Sequence, residues 1–333
     1  MEPGYKKDQY VKHLRLLDRK VFFEGAEGGG FWHGENGMVS LPFILKKEDA
    51  DKNLCPEIRD EAIDYFRKYD IDWWGDAESD GKHVSGHLMS SQVACLNHLF
   101  PIRRNETAVL AVINSIKGMP VHFKTVLPAE DDGGFIAFEK VSSRDYLGEG
   151  KLSRGAFCTS VDAFIYAVDD NGERWLIPIE WKYTESYDRN DLSTEVVNGQ
   201  DKGKTRLTRY PRLIDSSDQL ASLPDYIGSI YFQEPFYQLM RQTLWAERTC
   251  SSMEETLFPA EHFVHIHVCP KGNTALLGKD YTQVSGKCGM EAAWREMIKE
   301  QSLYHLVDPK ELMMPIQGLN DSLFKYLQTR YWR

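Results

Sequence analysis

Apolar residues recur at helical spacing over residues 57–69, where Ile58, Ala62, Tyr65 and Phe66 share one face, and this predicts a helix. Residues 87–99 predict a second helix, with Leu88, Val93, Leu96 and Leu99 inward and Pro101 as its stop. A third spans 106–117 and ends at Gly118 and Pro120. The pattern then changes. Residues 121–127, 135–141, 159–168 and 174–183 are rich in aromatic and β-branched side chains and predict strands. Asp170-Asn171-Gly172 lies between the last two, a hairpin signal. A polar stretch, 185–222, leads to a helix over 235–248 opened by Pro235, a strand over 262–269, and helices over 290–301 and 319–331. Residues 1–55 hold mixed charges and a glycine-rich patch from Gly25 to Gly37, read as a loop with Phe31 and Trp32 packing onto the core. The order implies an α/β (α+β) fold, a small mixed sheet flanked by helices. We read the 333 residues as one compact unit: an N-terminal elaboration (1–84), a core (85–273) and a helical C-terminal elaboration (274–333).

The hairpin carries the candidate chemistry. If Asp170 to Gly172 form a three-residue loop with Gly172 left-handed, Asp169 faces Glu173. Counting back along both strands then sets Asp162 opposite Glu180, with Cβ atoms about 5 Å apart. Lys182, two residues on, shares that face. Ile177, Ile179, Trp181 and Tyr183 occupy the other and predict buried core. A two-residue turn would set Asp162 against Trp181 and break the cluster. Two carboxylates so close repel and raise each other's pKa unless a cation joins them. Mg²⁺, with Mn²⁺ as a substitute, takes such oxygen ligands and keeps room for water and a phosphate. Lys182 can orient or deprotonate the water or stabilise the phosphate. The competing reading is a structural cross-strand ion pair, since Glu-x-Lys is a short motif.

Charge narrows the picture. A net charge of −10 excludes a protein whose whole surface is basic, but not an enzyme with a local basic groove. The six cysteines form no Cys-x-x-Cys pair and read as free thiols of a reducing compartment. The segment MEPGYKKDQY lacks an apolar signal core, and no run approaches the ~18 apolar residues of a membrane span. The expectation is a soluble, cytoplasmic protein.

Four segments in order, SSQVACLNHLFP, the Thr159-Ser160-x-Asp162 strand, IEWKYTESY and the YQLMRQTLWA helix, resemble a family of restriction-endonuclease-like bacterial proteins within the PD-(D/E)XK nuclease superfamily. The resemblance covers about residues 87–273. It implies a restriction-endonuclease-like core. It also implies Asp162 and Glu180 as metal ligands, the Trp181 carbonyl as another, and Lys182 as the catalytic lysine. Val161 stands where the motif has proline. Many members add an upstream acid from the first core helix, but 87–99 holds none; Glu139 and Glu149 are the nearest candidates, each with a solvated-charge alternative.

Other features are weighed around this centre. Gln92 and Asn97 are the polar candidates on the 87–99 helix for contact with the site or substrate. Lys202, Lys204, Arg206 and Arg209, in the densest basic run of an acidic chain, are candidates for a phosphate-binding groove or else a solvated flexible loop. Gln238 and Arg241 are similar candidates on the next helix. His265, His267 and Cys269 alternate on one strand and would suit Zn²⁺ if a fourth ligand existed. Trp73 and Trp74 are either base-stacking or core residues. The glycine patch lacks the Gly-Lys-Ser/Thr of a phosphate loop, and Ser90-Ser91 lack a nucleophile elbow. The reading is a metal-dependent nuclease hydrolysing phosphodiester bonds in double-stranded DNA. Cutting both strands would favour a homodimer. The alternatives are a non-catalytic binding protein of the same fold and a metal hydrolase built on His265 and His267.

Overall fold

In the computed structural model the described residues are 4–34, 37–74, 81–150, 152–154, 158–187, 191–252, 254–255 and 257–332. The architecture is α+β: a mixed seven-stranded sheet flanked by helices on both faces. In chain order the elements that matter are helix α1 (Tyr5–Asp18), the hairpin β1 (Gly28–Gly34) and β2 (Gly37–Leu45), and helices α2 (Arg59–Lys68), α3 (Ser91–Leu99) and α4 (Glu106–Asn114). Strands β3 (Phe123–Leu127), β4 (Ile136–Val141), β5 (Ser160–Asp169) and β6 (Arg174–Trp181) follow, then helices α5 (Lys202–Arg209), α6 (Pro211–Asp215) and α7 (Phe236–Cys250). The strands His265–Val268 and Tyr304–Val307 pair in parallel and extend the sheet beyond β6, so β6 is central.

The β5–β6 hairpin has the expected register. Gly172 N donates to the Asp169 carbonyl, Asp169 N to that of Glu173, and Gly172 takes φ +90°, which a side chain would strain. Ala163 pairs with Ile179, which brings Asp162 and Glu180 to facing positions. The odd-numbered face of β6 (Trp175, Ile177, Ile179, Trp181) packs into a core with α2, α3 and α4. That core also takes in Leu312, Leu323, Tyr326 and Trp332 from the C-terminal segment. The even-numbered face packs on α7 through Phe164, Tyr166 and Leu176, against Met240 and Leu244. Each face of β5 and β6 therefore has its own helical layer. Pro178 lies in the middle of this central strand without an N–H to give. The neighbouring ladder breaks there, between His262–Phe263 and His265–Val268.

Several local expectations need correction. The glycine-rich patch is not simply a loop: most of it forms β1 of the β1–β2 hairpin, and α1 precedes it. The glycines in β1 serve a close strand approach, because a Cβ on Gly30 would fall 2.3 Å from the Leu45 carbonyl oxygen. Phe31 is exposed there rather than packed on the core. The helix expected from residue 87 begins at Ser91, because Ser90 Oγ accepts from Val93 N and caps it. The basic run is not a flexible loop but the helices α5 and α6, with Asp201 capping α5 at Lys204 N (2.7 Å). The helix expected over 290–301 stops at Arg295, and the strand Tyr304–Val307 follows it as a sheet edge.

Gly203 fixes how α5 docks. An added Cβ would meet the Ser193 carbonyl oxygen at 2.1 Å, which is backbone and cannot rotate away. Gly203→Ala is therefore expected to displace α5 despite alanine's better helix propensity. Faster proteolytic nicking of the 191–210 segment at an unchanged melting temperature would show this; a protection pattern like wild type would refute it.

Candidate active site

A cavity of about 890 Å³ opens where β5, β6, α5 and α7 meet. Its floor is acidic. Asp162 is partly open to the cleft, and Trp181 N donates to its Oδ2 at 2.6 Å. Glu180 and Lys182 are buried and paired, with Nζ 2.5 Å from Oε1. Glu139 is buried too, opposite Asp162 in the β4–β5 register, between the pairs Phe138–Ala163 and Lys140–Val161. It takes φ +47°, a left-handed conformation that costs a non-glycine residue about 1–3 kcal/mol and concentrates at functional sites. Gln92 Nε2 donates to Glu139 Oε1 at 2.8 Å.

The electrostatics follow from crowding three acids, two of them buried, against one lysine. Burial pushes the Asp162 carboxyl well above its usual range, and Glu180 and Glu139 push it further. Burial likewise raises Glu139 to about 7, with Glu180 adding to the effect and Gln92 opposing it. For Lys182, burial alone would lower the pKa, but Glu180, Tyr187, Asp162 and Glu185 outweigh it and the ammonium is held. The cluster thus carries more acid than its one cation neutralises. Its carboxylate oxygens are hard donors of the kind that a divalent cation such as Mg²⁺ takes. Among the described residues, no three His, Cys, Asp or Glu side chains stand together at metal-ligating separation. Asp162 and Glu180 are turned instead toward Trp181 N, Lys182 and Gln242.

A stability prediction follows. An acid with a raised folded pKa keeps its proton in the native state after the unfolded chain has lost it, so stability falls as pH rises between the two values. The metal-free protein should lose stability as pH rises from about 3.8 for Asp162 and 4.5 for Glu139, because both keep protons that the unfolded chain has lost; the Glu139 part is complete by about pH 7 and the Asp162 part continues above it. Glu139→Gln should flatten that segment. Melting temperatures across pH in a chelator test this; a stability that rises between pH 5 and 7 would contradict it.

The cleft walls hold most of the other candidates. Lys202, Arg206, Arg209, Gln238 and Arg241 line it, whereas Lys204 lines an adjoining depression of about 670 Å³ that shares Thr205 and Arg209. Lys202, Lys204 and Arg209 have no carboxylate partner among the described residues, while Arg206 is paired with Glu195 at 2.7 Å. Arg241 is held over the Tyr237 ring at 4.6 Å and near Glu149 at 3.5 Å, and its buried Nε has no hydrogen-bond partner. Glu149 accepts from Thr159 N, Thr159 Oγ1 and Tyr210 Oη, so it ties the wall together rather than facing Asp162.

Asn97 is not in the cleft. It is fully buried on the far side of the sheet, where it holds Cys55 N, the Asn53 carbonyl and Tyr331 Oη, and it reads as a structural residue. The histidine strand lies beside β6, with His267 opposite Glu180, but His265 bonds Gln242 and His267 bonds Tyr304, and among the described residues neither stands in a group of three His, Cys, Asp or Glu side chains that could hold a metal. Of the two tryptophans, Trp73 stacks on Phe66 in the core, and Trp74 is 54% exposed at the cleft edge.

Residues 21–332 match the family described as restriction endonuclease associating with ARP. The chain belongs to that family. No curated protein and no solved structure matches it. For this restriction-endonuclease family member the cleft is the natural place to look for chemistry, and it contains residues that spacing did not single out. Gln242 reaches Glu180, and Glu234, Glu185 and Tyr187 surround Lys182. Gln242 lay in the quoted helix segment, one turn after Gln238, and that spacing was the available signal.

Proposed function

We propose that the protein is a metal-dependent DNA endonuclease of the PD-(D/E)XK type, with Asp162, Glu180 and Lys182 as its centre. The observation that carries this is the acid-rich cluster on a central strand, with Lys182 two residues beyond Glu180, at the floor of a cleft with cationic walls. Asp162 and Glu180 would hold Mg²⁺ or Mn²⁺ with the Trp181 carbonyl, and Glu139, closer to them than Glu149, is the better third acid. The cation, when bound, supplies a water of lowered pKa and charge neutralisation at the phosphate. The rest falls to the chain. Lys182 keeps its proton beside the acids and can donate to a phosphate oxygen or orient the attacking water. Arg241 is held by Tyr237 and Glu149 facing the cleft, where a guanidinium suits a phosphate. The cations of α5 would follow the continuing backbone.

Trp74 would offer a ring face to a base beside the cut. Trp74→Ala is expected to weaken DNA binding by about 1–3 kcal/mol, as for stacked bases generally, with Trp74→Phe recovering most of it. Fluorescence anisotropy with labelled DNA would measure this, and unchanged affinity would remove Trp74 from the binding surface.

The function itself is tested by incubating supercoiled and linear DNA with the protein in Mg²⁺, Mn²⁺ or chelator. Cleavage in either metal and none in chelator is expected. Cleavage that persists in chelator, or none under any condition, would defeat the proposal.

A further inference from the structure

Helix α7 meets Glu180 and Lys182 with two glutamines one turn apart, each presenting the opposite end of its amide. Gln242 Nε2 donates to Glu180 Oε2 at 2.5 Å and to the Ser160 carbonyl at 2.9 Å. Gln238 Oε1 accepts from Lys182 Nζ at 2.5 Å. The match is one of spacing. Residues two apart on a strand are about 6.6 Å apart, and residues four apart on a helix are about 5–6 Å apart, so one helix ridge can address both charges.

The amide orientations are not free. With two acceptors before it, Gln242 must turn its NH₂ inward, which leaves Oε1 facing His265 Nε2 at 2.9 Å. His265 Nε2 must then donate. Burial lowers His265 to about 4, so the ring is neutral and carries a single proton. On Nδ1 that proton would gain only the 3.4 Å contact with Thr243 Oγ1 and would leave two acceptors facing each other at 2.9 Å. Thr243 Oγ1 itself already donates to the Leu239 carbonyl.

We propose that Gln242, oriented by His265, and Gln238 are positioning residues that fix Glu180 and Lys182 in one arrangement for catalysis. The proposal rests on the nuclease reading above. It gives His265 a place behind the centre instead of in a zinc site, and it assigns Gln238 to Lys182 instead of to substrate. A partner at this remove, which touches a ligand or catalytic group and not the substrate, typically changes metal affinity or activity by about 10–100-fold.

The test uses the full chain. His265→Leu removes the donor, and His265→Gln returns an N–H to nearly the same place. Gln242→Glu keeps size and packing while turning the donor into an acceptor. Three readouts are taken: calorimetric titration with Mn²⁺ alone, kcat and KM on DNA with Mg²⁺, and the ¹⁵N tautomer signature of His265. Expected are an Nε2–H tautomer in the wild type, and a fall of about 10–100-fold in kcat for His265→Leu and Gln242→Glu, with KM nearly unchanged. Mn²⁺ affinity should weaken in both, with recovery in His265→Gln. If His265→Leu does not fold, His265→Gln and Gln242→Glu still decide the matter. Wild-type kcat in Gln242→Glu, or an Nδ1–H tautomer in the wild type, would overturn the assignment. A wild type that neither binds Mn²⁺ nor cuts DNA would instead overturn the nuclease reading, and with it the catalytic role given to these residues.

Discussion

Asp162→Ala, Glu180→Ala and Lys182→Ala are each expected to lower Mg²⁺-dependent DNA cleavage by at least about 100-fold, a size typical for loss of one preorganised group at a reacting centre. The same substitutions should part company in stability. Asp162 ionises against burial and two neighbouring acids, so removing it relieves repulsion and should raise the melting temperature at pH 8 in chelator. Lys182 is the only side-chain cation paired with Glu180 among the described residues, so Lys182→Ala leaves a buried carboxylate uncompensated and should lower it. Equal loss of activity with opposite changes in stability marks a functional cluster, since a merely structural ion pair would lose stability whichever partner was removed. Cleavage rates beside melting curves provide the measurement. Activity that survives any one substitution would exclude that residue from the centre.

Replacing Lys202, Lys204 and Arg209 together by alanine is expected to remove most of the salt sensitivity of DNA binding. Each is without a carboxylate partner among the described residues, and each lies along the cleft or its adjoining depression. Three lost phosphate contacts should make the slope of log K against log salt shallower by about 3. Between 50 and 200 mM salt the wild-type Kd should then rise about 40-fold more than that of the variant. Arg206, committed to Glu195, should contribute less to this slope. Binding measured across a salt series decides; parallel slopes would mean that α5 faces solvent and not DNA.

The legible parts of this molecule are those whose determinants lie close together in the chain. Asp170-Asn171-Gly172 set its own turn, and the turn set the register that brings Asp162 before Glu180. The alternation along β6 likewise separated Trp181, which enters the core, from Glu180 and Lys182, which face α7. What was hidden depends on distant partners. Gln242 reaches Glu180 from an element 62 positions away, and its one-turn spacing from Gln238 says that the two share a helix face but not which strand that face meets. Trp73 and Trp74 are identical in sequence terms, and only the packing of Phe66 separates the core ring from the exposed one. The basic helix was obscured by its polarity and by Gly203, a poor helix former kept for close passage over Ser193. The β1 glycines concealed a hairpin for a similar reason, since close approach of backbones needs residues that carry no strand signal.

The central claim is that Asp162 and Glu180, with Lys182 beside them, bind a divalent cation in this cleft. The most direct measurement is anomalous diffraction from crystals grown or soaked with Mn²⁺. A peak between the Asp162 and Glu180 carboxylates is expected, with Asp162 released from Trp181 N and Glu180 Oε1 from Lys182 while Gln242 keeps its hold on Glu180 Oε2. The same crystals of Asp162→Ala should lose it. A wild-type map with no peak there at millimolar Mn²⁺, or with its peak on His265 and His267, would contradict the account.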